Sequence, residues 1–152
     1  MKKKNSDWLK LVFFILLVAL IFYAAYYVFG IIIPQKAQAD FGIPDPQLDF
    51  SQRVIYALKL ETQKKEILTV VNPDGVEEIF TITYGETAAE TAENLAEMGL
   101  IRSSEAFINL LIYLGNDTRI QAGIYAISPA MTGVAIANHI VDSNPEEDRK
   151  ST

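Results

Sequence analysis

The chain has no cysteine, one histidine and one tryptophan in 152 residues. Without cysteine the fold carries no disulfide staples, which suits an exported domain without locating one. With His139 the only imidazole, a metal site would have to be built from carboxylates, and no loop spaces them as ligands. His139 falls near the C-terminal end of an amphipathic stretch, where it fills space and favours the helix dipole. One histidine among scattered serines makes no Ser–His–Asp set, and no cofactor is expected.

Positive charge is scarce beyond the N-terminus. Of 13 Lys and Arg and 19 Asp and Glu, four lysines and one aspartate fall within residues 1–33, leaving nine against eighteen, a net of −9. Such a surface repels nucleic acid and anionic headgroups, so nucleic-acid binding is set aside. Lys59, Lys64 and Lys65 form the only basic stretch in this part.

What the chain does have is a long apolar run. Residues 11–33, LVFFILLVALIFYAAYYVFGIII, hold 23 positions without a charge, against about 20 needed to cross a bilayer as a helix. Lys2, Lys3, Lys4 and Lys10 precede it with only Asp7 against them, which places residues 1–10 in the cytoplasm as a basic tail. Tyr23, Tyr26 and Tyr27 suit the outer interface and Trp8 the inner one. Ala37-Gln38-Ala39 has the form of a signal-peptide cleavage site, but signal h-regions run only about 7–15 residues. An uncleaved single-pass anchor is the reading adopted, with the rest of the chain outside the cytoplasm.

Beyond the anchor, residues 34–50 contain Pro34, Pro44 and Pro46 and read as an extended tether. Residues 51–65 suggest an amphipathic helix capped by Ser51 or Asp49, with Val54, Ile55 and Leu58 on its apolar face. Residues 66–83 read as a β-hairpin around Asn72-Pro73-Asp74-Gly75, with Gly75 at positive φ. Thr87 and Glu90 form a capping box for a helix burying Ala88, Ala92, Leu95 and Ala96 and stopping at Gly99. Ser103 or Ser104 caps a second helix, whose Phe107, Leu110, Leu111 and Leu114 face inward until Gly115. In the strand that follows, Tyr125 and Ile127 share the face of Gly123, while Ile120, Ala122, Ile124 and Ala126 share the other. Thr132 caps a last helix through Val134, Ile136, Ala137 and Ile140. Residues 144–152 read as a flexible tail.

Strand, helix, helix, strand is an order that closes most simply as an antiparallel pair with both helices on one face. The fold class expected is therefore α+β: one transmembrane helix, then a small LysM-like module over residues 66–143. Tyr125 and Ile127 would pack on the helices carrying Leu95 and Phe107. Ile124 and Ala126 would be covered by the helix of residues 51–65, by the last helix, or by a partner.

Residues 80–140 resemble the LysM-like subdomain of the endolytic murein transglycosylases (the MltG/YceG-like family). The likeness rests on the strand into Gly85-Glu86-Thr87, on Gly99-Leu100-Ile101-Arg102-Ser103 between helices, on Phe107, and on Gln121-Ala122-Gly123-x-Tyr125-x-Ile127-Ser128-Pro129. It implies peptidoglycan glycan strands, or a cell-wall synthesis protein, as partner. In that family the glycan-cleaving glutamate lies in a larger domain after this module. No position here corresponds to it, so no catalytic residue is carried over; a truncated or split enzyme remains an alternative.

In modules of this kind the glycan lies between the first strand–helix loop and the second helix–strand loop. The implied glycan-binding residues are Tyr84, Gly85 and Thr87 in the first, and Asn116, Asp117 and Arg119 in the second. The competing reading makes them only turn and cap residues. Glu86, Glu90, Glu93 and Glu97 also share one helical face. A solvated stripe is the better reading, because a general acid needs a pKa raised by burial.

Overall fold

The computed structural model describes residues 4–142; the tail expected over 144–152 lies outside the described residues. Helix α1, Lys4–Tyr27, runs through a π-helical turn, Val28–Ile32, into α2, Ile33–Phe41. From Asp7 to Phe41 this is one helix of 35 residues, long and apolar enough to cross a membrane. The basic residues Lys4 and Lys10 are thus part of the helix.

The tether expected over 34–50 is corrected in its first half. Pro34 lacks an N–H, and its ring would press on the carbonyl of Gly30 in a regular helix. The π turn accommodates it: the Ile33 amide reaches back to Val28 O, widening the helix one step ahead of the proline. Ala37 and Phe41 then fall one turn apart on one face, and both are buried. The chain reverses only in the loop of residues 42–49. The domain is therefore joined to the apolar helix by continuous helix whose last turns are buried in it.

Helix α3, Phe50–Thr62, starts on a capping box formed by Asp49 and Gln52. Its buried residues are Ala57 and Leu60, so the apolar face expected from Val54, Ile55 and Leu58 is rotated. Val54 and Ile55 turn instead toward Tyr26, Phe29 and Phe50 at the end of the apolar run. After Gln63 a short helix α4, Lys64–Leu68, replaces the first strand of the expected hairpin. Ile67 is drawn into the core beneath Gly133, whose Cβ position lies 3.4 Å from Ile67 Cγ2, and that packing overrides its β propensity. The turn at 72–75 does form, with Gly75 N donating to Asn72 O at 3.1 Å. Gly75 is not at positive φ.

Strand β1, Glu78–Ile82, leads to α5, Ala88–Glu97, and α6, Ser104–Leu114; β2, Gly123–Ile127, and α7, Gly133–Asp142, follow. The two strands pair antiparallel, Phe80 opposite Tyr125 and Thr81 opposite Ile124. Phe80, Ile82, Tyr125 and Ile127 face inward with Leu95, Phe107, Leu110, Ile136 and Ile140. The inner face is as the alternation predicts. On the outer face Ile124 and Ala126 are half-buried, and of the two helices expected as their cover α7 lies elsewhere. Helix α7 packs on the inner side, where Tyr125 donates to Ile140 O at 3.3 Å, and Ile79 stays 56% exposed.

Candidate functional site

The turn from β1 into α5 is built by two capping interactions in series. Thr83 gives its amide and its hydroxyl to one Glu86 carboxylate oxygen, each at 3.0 Å. The other oxygen accepts from Thr91 Oγ1 and Asn94 Nδ2, both at 3.1 Å. One residue on, Thr87 gives its amide at 2.8 Å and its hydroxyl at 2.9 Å to Glu90, and accepts the Glu90 amide at 3.2 Å. Gly85 joins the two at φ +85° with nothing within 4 Å of its Cβ position, so the backbone conformation alone demands glycine there.

This network fixes the charge of the site. Partial burial would raise the Glu86 carboxyl, but the Thr83 amide and hydroxyl, Thr91 and Asn94 together hold it below its ordinary value. The Thr87 amide and hydroxyl lower Glu90 in the same way. Both are committed anions, unsuited to donating a proton at neutral pH. The solvated-stripe reading thus needs refining for these two: they are structural caps. The signal was in the sequence, since Thr83-x-x-Glu86 repeats the Thr87-x-x-Glu90 spacing that marks a capping box.

On this stiff turn Tyr84 stands 98% exposed. It borders a hollow of about 430 Å³ lined also by Thr83, Gly85, Glu86, Glu90, Glu93 and Asn94. The exposed backbone amides wanted for sugar recognition are taken here, because those of Thr83 and Thr87 bind carboxylates. The wall offers instead an aromatic face, carboxylate oxygens and one carboxamide.

The second loop is organised differently. Gly115 ends α6 at φ +68°, and the Asn116 amide donates back to Leu111 O at 2.8 Å, which satisfies a carbonyl left open by the helix end. The Asn116 side chain is buried, its Nδ2 reaching Ala137 O at 3.5 Å. It clamps α6 to α7. Asn116 and Arg119 line a hollow of about 300 Å³ with Phe41, Gly42, Leu114 and Asn138. The two loops therefore border two separate hollows, with Thr87 and Asp117 lining neither. Among the described residues no cluster of three or more His, Cys, Asp or Glu could hold a metal. His139 lies edge-on to Tyr125, ring centroids 6.0 Å apart.

Comparison with protein-family models, with curated proteins and with solved structures finds no match to this chain.

Proposed function

We propose that the chain is a single-pass membrane protein, its N-terminus cytoplasmic, carrying an extracytoplasmic LysM-like module that binds or positions at peptidoglycan glycan. The observation that carries this reading is the rigid β1–α5 turn presenting Tyr84 to solvent, in a sheet that brackets a helical hairpin. A stiff aromatic platform beside planar polar groups suits stacking of a pyranose ring with hydrogen bonds to its hydroxyls. Burial of Ala37 in the core favours an uncleaved anchor, because cleavage after Ala39 would remove it. Lys4 and Lys10 at the start of α1 support the orientation.

The test is co-sedimentation of the full chain, in detergent micelles, with purified peptidoglycan. Wild-type protein is retained, and Tyr84→Ala loses retention while keeping its melting temperature. Equal retention of both proteins sinks the glycan reading. A disulfide-requiring reporter at the C-terminus tests topology: it matures only outside the cytoplasm, so an expressed but inactive reporter would refute the orientation.

A second reading is favoured by the outer sheet face, where Ile79 is 56% exposed. That face would dock on a cell-wall synthesis protein. Loss of a co-purifying partner in Ile79→Asp, with glycan retention unchanged, would select it.

A further inference from the structure

Where the apolar helix meets the folded domain, apolar surface continues onto the domain. Phe50 opens α3 with 60% of its surface exposed, and Ile55, five residues on, has 52%. With Tyr26, Phe29, Gly30 and Val54 they line one groove of about 270 Å³. Phe50 Cζ lies 3.4 Å from where a Cβ on Gly30 would stand. At about 1.5 Å per residue the helix rises roughly 28 Å from Leu11 to Gly30, close to the ~30 Å of a hydrocarbon core. The groove therefore lies where acyl chains meet their ester groups.

Adjoining the groove is a second hollow of about 210 Å³, which shares Gly30, Phe50 and Val54 and adds Gln38, Arg53 and Tyr113. Tyr113 is 1% exposed, yet among the described residues its hydroxyl has no hydrogen-bond partner. Burial raises the pKa of that hydroxyl, so it stays protonated and available as a donor. A buried donor left unpaired is costly unless something supplies an acceptor. Arg53 fixes the wall of this hollow through Nε to Leu48 O and Nη2 to Pro46 O, both at 2.9 Å.

We propose that this junction is a binding site for one zwitterionic glycerophospholipid of the surrounding bilayer, its acyl chain in the groove and an ester oxygen on the Tyr113 hydroxyl. The bilayer is the occupant because the groove is continuous with the apolar surface of α1, and the excess of acidic residues disfavours an anionic headgroup. The site rests on the reading that α1 spans the membrane. It fixes the height and tilt of the domain through lipid packed at the α1–α3 junction.

The experiment uses the full chain in phosphatidylcholine vesicles containing phosphatidylcholine brominated near the ester end of its acyl chains. Native Trp8 reports insertion of α1. In a Trp8→Phe background, Phe50→Trp and Ile55→Trp report the groove, and Val76→Trp, in the loop leading into β1, is the control. Quenching at 8, 50 and 55 but not at 76 is the expected result. Quenching of Trp8 with positions 50 and 55 no more quenched than 76 overturns the proposal alone. An unquenched Trp8 overturns the spanning reading and the proposal with it. Blue-shifted but unquenched emission at 50 and 55 would mean that protein, such as a second copy, covers the groove, and also overturns it. Native mass spectrometry of the detergent-solubilised chain tests the donor. Tyr113→Phe keeps the ring and should hold phosphatidylcholine about fivefold more weakly; unchanged affinity overturns the proposal.

Discussion

Pro129 lies so close to Gly75 that a Cβ there would stand 2.2 Å from its Cγ. Two hydrogen bonds hold this contact: Asn72 N donates to Pro129 O at 3.0 Å, and Ser128 Oγ to Gly75 O at 2.8 Å. Gly75 is thus required by the approach of a rigid ring. Gly75→Ala should destabilise the domain by about 1–3 kcal/mol through forced backbone shifts. Chemical denaturation of the full chain in micelles measures this, and a wild-type midpoint would show that the loop moves freely off Pro129.

The Glu86 network predicts a pH dependence of stability. A carboxyl whose folded pKa lies below its ordinary value of 4.5 stabilises the fold fully above that value. The contribution is lost as pH falls through the lower folded pKa. Glu86→Gln removes the charge, so its stability should fall less steeply with acid below about pH 4.5 than that of wild type. Glu86→Ala should cost about 1–2 kcal/mol at neutral pH, as loss of a cap does. Parallel acid limbs for wild type and Glu86→Gln would mean that the carboxylate is not held by these donors.

The parts of this fold legible in the sequence are those governed by local chemistry. The Thr87 box, the Ser103 cap and Gly115 each satisfy backbone groups within a few residues, and all three stand where their spacing places them. The inward set of β2 followed from simple alternation. The errors fall where distant packing decides. Pro34 reads as a stop, yet a π turn absorbs it; Ile67 reads as strand, yet the core beneath α7 takes it into a helix. For the candidate site, Tyr84 and Gly85 line one hollow with the Glu86 network, which a second Thr-x-x-Glu spacing encodes. Asn116 could not be separated from a surface polar residue, because its burial depends on α7 more than twenty positions away.

Helix α2 belongs to the folded domain, and that gives a third prediction. Phe41 is 2% exposed and Ala37 fully buried, and Lys64 forms an ion pair with Asp40. Phe41→Ala should cost about 3–5 kcal/mol, and a chain begun at Gly42 should lose cooperative unfolding. By contrast Lys64→Met should change stability little, since half-exposed pairs contribute modestly. A chain begun at Gly42 that melts like the intact protein would restore the flexible-tether view.

The two faces of the sheet make the last prediction. Ile127 is fully buried on the inner face, while Ile79, on the outer face opposite Ala126, is 56% exposed. Ile127→Ala removes buried methyl groups and should cost about 2–5 kcal/mol. Ile79→Asp meets water and should stay within about 0.5 kcal/mol of wild type. Ile124 is half-buried on that outer face, so Ile124→Ala should fall between them. If Ile79→Asp unfolds the chain as readily as Ile127→Ala, something covers the outer face and the assignment of open and closed sides is reversed. If Ile79→Asp leaves the fold intact but releases a bound protein, the sheet face rather than Tyr84 is the functional surface.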